Sequence, residues 1–498
     1  MSYLSHEEAW EGFGSQSIDD VQNLLKAMQA QEGITDIANL VGVGALQPQS
    51  LEGTLAMLTF QEKHLTLWRD IPKGGATSTL EEYTVNTGHG LDSSGWVQQM
   101  ESPLEADPAA KRKYAQVKFQ RQMWKVSDVA GIVKTIQDAE TWTKQAAVLR
   151  CLRNLNRSLY SGDGDLATEF IDGFQKTIEN NGSADHVVDC RGAAPSQSNF
   201  RQAAELITSN FGTVEGASLY VSPGGMTTID GIMEGGSYQR ILQNSLGADG
   251  GMSLGYATKS IHTSFGTIQP KTDIFIAGEY ESKGVPKRPN PSNPESLVEG
   301  ATSLNAPDAP GIVVATVAAP VTGSKWVGSG VRPAAVTYSY RVAAGNRWGL
   351  SQACVLDDAG AVVVAGGSNT VTITPAGTGQ AATYYEIYSE LVAGSGDFKL
   401  IGRIADSGGA TTVFTDLNAT IPGTTCMFLL DLTSIGEMRT FMLKRLAPIH
   451  SKEYARIGEY RWGTVNMYAT PIYYSPLRFV LFKNVQVGVN SKSNLLEI

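Results

Sequence analysis

The residues best suited to acid–base or metal chemistry near neutral pH are six histidines, His6, His64, His89, His186, His262 and His450. They lie far apart in the sequence, and no pair has metal-ligand spacing. Cys151, Cys190, Cys354 and Cys426 include no Cys-x-x-Cys pair, so they form neither a zinc ribbon nor a disulfide framework and read as reduced structural thiols. Asp163 and Asp165 resemble the start of a calcium loop, but the glycine and the closing glutamate that such a loop needs are missing, so they read as turn residues. The glycines around Val41 are not followed by the Lys-Ser/Thr pair of a phosphate loop, and read as a flexible arm. His-Glu-x-x-His helices and dinucleotide fingerprints do not occur. No catalytic residue, cofactor or metal site is therefore predicted. What remains is electrostatic. Glu81, Glu82, Glu101, Glu105 and Asp107 precede Lys111, Arg112, Lys113, Lys118 and Arg121, which places opposite charges on the two sides of one segment.

The elements that carry these residues follow from composition and periodicity. The chain has 498 residues, 39 basic and 49 acidic side chains and a formal net charge of -10. With 42% apolar and 18% charged residues and 53 glycines, it reads as folded and turn-rich rather than disordered. The acidic balance argues against a dedicated nucleic-acid binder. The start Met-Ser-Tyr-Leu-Ser-His-Glu-Glu has no basic or apolar signal region, and no apolar run is long enough for a bilayer. A protein made in a cytosol, with no membrane partner, is expected.

Ile18 to Gln31 reads as a helix with Val21, Leu24, Leu25 and Met28 on one stripe. Ser78–Asn86 and Tyr114–Val126 read as the strands of an extended hairpin, the second with Val117, Phe119 and Met123 on its apolar side. Ser127 or Asp128 is expected to cap a helical region reaching Tyr160, about 50 Å long if unbroken at ~1.5 Å per residue, with Gly131 as a possible interruption near its start. An α/β stretch follows. Val187–Cys190 and Ala217–Pro223 are strands, Ser198–Asn210 and Met226–Met233 are helices, and Thr258–Ile276 contains further strands. Prolines 286, 289, 291, 294, 307 and 310 mark a linker. From Gly311 to about Pro422 short alternating runs indicate a β-sandwich. Arg439–Lys444 begins a strand or a helix, and Thr464–Pro471 and Arg478–Val487 are strands, so the sandwich is expected as an insertion in a host domain.

This order of elements resembles the major capsid proteins of tailed bacteriophages, which share the Hong Kong 97-type fold. The segments that carry the likeness are Leu65–Lys73 with Ser78–Tyr83, Leu159–Asp163, Val187–Gly192, Leu219–Pro223 and Phe479–Val485. The resemblance implies an α+β fold with an N-terminal arm at 1–75, an E-loop at 76–124 and a peripheral domain with its spine helix at 125–184. It also implies an axial domain at 185–285, an insertion at 286–426 and return strands at 427–498. It implies a virion shell subunit, assembled in a bacterial cytoplasm, that forms hexamers and pentamers around double-stranded DNA. Scaffolding, portal and decoration proteins are the implied partners, and contact with the DNA is non-specific. It gives the hairpin charges Glu81, Glu82, Glu101, Lys111, Arg112, Lys113, Lys118 and Arg121 a role as inter-subunit pairs, each worth about 0–1 kcal/mol but repeated throughout a shell.

The segment Tyr338–Ser351 resembles a late strand of an immunoglobulin-like or fibronectin type III sandwich, with Tyr340 and Val342 in its core. Trp326, Trp348 and Tyr388 are candidate exposed contacts, for stacking on sugar, with core packing as the competing role. The rival readings are an encapsulin-type compartment shell and a secreted carbohydrate-binding adhesin.

Overall fold

The computed structural model describes residues 60–90, 96–100, 102, 107–132, 138–181, 184–235, 258–358, 362–435, 438–456 and 458–487. The expected helix at Ile18–Gln31, the glycine-rich stretch at Val41 and Glu101 lie outside them. The fold is α+β, built on two host sheets and a separate β-module.

The long helix is Ala139–Ser161. Asp138 caps it by accepting a hydrogen bond from the Thr141 amide at 3.0 Å. At 23 residues it spans about 34 Å rather than the 50 Å expected of an unbroken run. The residues that follow Ser127 form a separate short helix, Asp128–Ile132, and a fresh N-cap is needed because the long helix starts anew. Cys151, Leu152, Leu155 and Leu159 are its buried stripe. At its end the Gly162 amide donates to the Ser158 carbonyl, and a Cβ at Gly162 would collide with the Ser158 and Ile171 carbonyl oxygens. The adjoining turn is held by Lys176, whose amine meets Asp163 at 2.5 Å, Asp165 at 2.7 Å and Asp172 at 2.9 Å.

The helix lies on a five-stranded sheet. Its strands are Lys73–Gly75, Phe441–Arg445, Tyr460–Tyr473 and His450–Glu453 in that order, with Lys118–Ser127 also paired to Tyr460–Tyr473. Trp124, Val126, Val465 and Met467 point into the helix side. The expected facing of Lys118–Ser127 is thus reversed. Phe119 and Met123 are exposed, whereas Gln120 lies on the helix side and donates to the Cys151 carbonyl. Val117 is buried at the junction between two strands, and the side-chain alternation restarts after it.

The second host sheet has six strands in the order Val187–Asp189, Phe479–Val485, Thr425–Asp431, Ala217–Val221, Gly266–Thr272 and Ile261–Thr263. Its central strands are covered on both faces, which explains their nearly unbroken apolar sequences. Leu219, Val221, Met427, Leu429, Val480 and Phe482 face the helices Gln197–Ser209 and Pro223–Gly235. Tyr220, Phe428, Leu430 and Leu481 join the core under the long helix. Residues 273–276, at the end of the expected strand region, instead form a helical segment, Ile274–Ile276, capped by Asp273 and followed by a π-turn at Ala277–Glu281. Asp273 also accepts from Tyr160, Asn156 and the Leu67 amide, tying that segment to the long helix.

Residues 282–424 stand outside both host sheets, between sheet strands that end at Thr272 and resume at Thr425. The proline-marked stretch is more ordered than a linker: Lys287–Asn290 and Asn293–Glu299 pair as a small hairpin. Beyond it lie two antiparallel sheets. One contains Gly311–Val317, Ser368–Thr374 and Thr412–Asp416; the other contains Ser339–Asn346, Tyr384–Glu390 and Phe398–Ala405 with two short strands. They share one apolar cluster that includes Val314, Val371, Ile373, Tyr340, Val342 and Ile387.

Candidate assembly surface and module junction

A hairpin forms, but its second strand is Ala109–Gln116 rather than the expected Tyr114–Val126, most of which pairs with Tyr460–Tyr473 in the five-stranded sheet. Leu80–Gly88 pairs antiparallel with Ala109–Gln116, placing Glu82 opposite Tyr114 and Thr84 opposite Arg112. Arg112 reaches diagonally to Glu82 at 2.6 Å, with both side chains in solvent. Glu81 turns the other way and accepts from Lys444 of the five-stranded sheet at 3.2 Å. These two acids therefore have partners within the chain. Lys111 and Lys113 are exposed and make no ion pair among the described residues. Lys118 donates to Gln116 and to the Thr168 carbonyl. Arg121 lies 5.9 Å from the Tyr468 ring centroid on the sheet's outer face. The ribbon has only two strands, and Trp96 and Met100 near its far end are fully open to solvent. A two-stranded ribbon is marginal alone and gains stability from another surface.

The candidate exposed aromatics separate sharply. Trp348 is 52% exposed, but Trp326 is 2% exposed and Tyr388 is fully buried. The expected surface role of the latter two is corrected by their polar partners. The Trp326 indole donates to the Asp416 carbonyl oxygen, and its ring packs against the Arg332 guanidinium at 4.8 Å. Arg332 is itself buried and bonds Asp416 at 2.9 Å. The Tyr388 hydroxyl donates to Glu386 at 2.6 Å.

Glu386 belongs to a charge network that sequence patterns did not reveal. Arg403 on the β-module reaches Glu386 at 2.8 Å, Glu279 of the π-turn at 2.8 Å and the Ser161 carbonyl at the end of the long helix. Arg157 of that helix also meets Glu279, and Lys283 meets Glu386 at 2.8 Å. Burial pushes the Glu279 carboxyl up, but Arg157, Lys283 and Arg403 outweigh it and hold it well below the usual range. Burial likewise opposes ionisation of Glu386, and Lys283 and Arg403 bring it down to about 2. The sole sequence signal was a cluster of charges flanking apolar strands at 279–283, 386 and 403, and separations above 100 residues conceal it.

A second attachment surrounds Asp189. It accepts from Lys325 of the module at 2.6 Å and from Asn484 at 2.7 Å. Arg191 donates to the carbonyls of Asn418 and Lys325, and Asn484 accepts from the Ile421 amide. Arg191, Asn418 and Asn484 all adopt positive φ, at 51°, 57° and 54°. This turning of the backbone at the junction is unusual for side-chain-bearing residues. Between the two attachments lies a polar cleft of about 340 Å³ that includes Lys176, Glu179, Arg403 and Lys483. Its charges are already paired: Lys483 with Glu179, Lys176 with three aspartates and Arg403 with two glutamates. No group of acidic, histidine or cysteine side chains able to hold a metal occurs among the described residues.

The geometry is that of a scaffold with an open ribbon and a firmly seated module. No family model matches the chain. Over 289 residues it is 25% identical to the major capsid protein of Staphylococcus phage K, spanning 56% of this chain and 60% of that protein. This chain is similar to phage major capsid proteins. It is also 26% identical over 201 residues to a putative major capsid protein of Enterococcus phage phiEF24C, covering 39% of this chain and 42% of that one. The matches thus span about three-fifths or less of these relatives' length. Among solved structures, the capsid of a native GTA particle aligns over 91% of this chain and all of that chain, with a TM-score of 0.43 and 10% identity.

Proposed function

We propose that this chain is the major capsid protein of a tailed phage, self-assembling into the icosahedral shell that encloses double-stranded DNA. The observation that carries this reading is the 289-residue similarity to the phage K major capsid protein. In this reading the hairpin is the E-loop, the Ala139–Ser161 helix is the spine of a peripheral domain, and the six-stranded sheet is the axial domain of a Hong Kong 97-type subunit. Residues 1–75 form the arm, 286–426 the immunoglobulin-like insertion and 427–498 the return strands.

Assembly is the mechanism. A hairpin that buries little of itself gains stability by lying on a neighbour, and Lys111 and Lys113 are free to pair with a neighbour's carboxylates. Arg112 and Glu82, already paired, set the ribbon's shape. Many weak contacts then sum over a closed shell. The acidic balance suits a wall that must not grip phosphates tightly, so contact with the genome is non-specific. Scaffolding, portal and decoration proteins complete the list of partners, and the protein resides in the virion. The reaction is association only, with no catalytic step.

The test is negative-stain imaging and light scattering of the purified full chain, with and without the neighbouring phage proteins. Closed shells or rings of five and six subunits are expected. A monomer under every salt and scaffold condition would overturn the reading.

A further inference from the structure

The β-module has two outer faces, and they are chemically opposite. The outer face of the Ser339–Asn346 sheet carries Arg341, Glu386, Tyr388 and Arg403, and is covered by the 283–299 segment and the junction network. The outer face of the other sheet carries Val313, Ala315 and Val317 on one strand, Thr370, Thr372 and Thr374 on the next, and Val413 and Thr415 on the third. Register sets them side by side: Val313 faces Thr372, and Thr372 faces Val413.

This face bears no charged side chain, yet it is open. Val313, Val317 and Val413 are 63%, 43% and 49% exposed. Their neighbours on the inner side, Val314, Val371 and Ile373, already fill the core, so the face is not needed for the module's own packing. A solvated antiparallel sheet ordinarily places polar residues on such a face.

We propose that this Val/Thr face is a contact surface for the same face of a second copy of this chain. The inference rests on the shell reading above. Two charge arguments select the occupant. The subunit carries a net charge of -10, so copies repel wherever charged surfaces approach. Here two copies can meet without bringing like charges together or burying an unpaired ion. The pairing is also self-complementary, as a two-fold contact requires, since a Val–Thr lattice presents the same chemistry to its own image. Size fixes the setting. Three strands of this length offer roughly 300 Å² per copy, against about 800 Å² per partner in a standard stable interface. The contact is too small to hold a free dimer and is suited to an assembly in which other contacts fix the subunits.

The experiment places a thiol at the face centre, Thr372→Cys, in the full chain. All four native cysteines are buried, so the new thiol reacts selectively. Facing sheets stand about 10 Å apart, beyond disulfide reach, so a short bismaleimide is the cross-linker. Thr415→Cys on the neighbouring strand reads the same contact if the first variant misfolds. Asp397→Cys, exposed on the module but off this face, is the control. Assembled particles should yield cross-linked dimers with Thr372→Cys and at least tenfold fewer with the control. Adding Val313→Lys should reduce the Thr372→Cys product at least tenfold. Particles that form normally but give no dimer at either position, or that cross-link to a chain of another mass, would overturn the inference and leave the shell reading intact. Absence of particles from the wild-type chain, seen by negative stain, would instead remove the shell reading and this pairing with it.

Discussion

Arg403 of the β-module donates to Glu279 of the host at 2.8 Å while its Nε holds Glu386 of the module at the same distance, so one guanidinium joins two bodies separated in sequence by more than a hundred residues. Both carboxylates are almost wholly buried. Such a site contributes little over an apolar contact of equal shape, but it is costly to half-remove, because the charges left behind lack a counterion. Arg403→Ala should therefore lower the unfolding free energy by about 3 kcal/mol, as measured by urea denaturation. Arg403→Met with Glu386→Gln should be less harmful than the single alanine variant, and an equal or larger loss would count against the network.

Acid should release the same junction. The carboxyl of Glu386 lies at about 2 in the fold and that of Glu279 is also lowered, so their stabilisation is fully present above the unfolded value near 4.5. It is lost as pH falls from about 4.5 through the folded values. The part due to Glu386 is on the order of 3 kcal/mol. Urea midpoints measured from pH 6 to pH 2.5 should fall along that window, and Glu386→Gln should flatten the curve.

Trp326 and Trp348 should behave oppositely. Trp326→Ala empties a site between Arg332, Tyr338 and the Asp416 carbonyl, and should cost about 3–5 kcal/mol. Trp348→Ala removes a ring from an exposed turn and should stay within about 0.5 kcal/mol. Thermal melts of the two variants distinguish the roles directly.

The thiols should be silent in the native protein. All four cysteines are buried, and burial pushes Cys151 and Cys190 up to about 11 and Cys426 up to about 12. Ellman's reagent at pH 8 should find no rapidly reacting thiol until denaturant is added, and then four. A fast-reacting thiol in native protein would contradict this packing.

Reversing the free charges of the hairpin, Lys111→Glu with Lys113→Glu, should leave the melting temperature nearly unchanged, because neither lysine has an ion-pair partner among the described residues. Particle yield in sedimentation should fall. Unchanged yield would remove these two lysines from the assembly surface.

By itself the sequence determined the elements whose causes are local. Alternation marked the strand at Ser78–Asn86, the 3.6-residue stripe marked the Ala139–Ser161 helix, and apolar runs marked the strands Ala217–Val221 and Phe479–Val485. A change of composition at Val285 marked an insertion expected at 286–426, and the host sheet strands are interrupted between Thr272 and Thr425. Tertiary structure decided what depends on partners distant in sequence. Phe119 and Met123 were directed outward because Trp124 and Val126 took the helix side, and alternation alone has no preferred face. Trp326 and Tyr388 were buried because the Asp416 carbonyl and the Glu386 carboxylate could satisfy their polar atoms, which residue type cannot foretell. The junction of Arg157, Glu279, Lys283, Glu386 and Arg403 was invisible in the chain for the same reason: a charge is stable in the interior only when folding brings its counterion within hydrogen-bonding distance, and that pairing exists only in three dimensions.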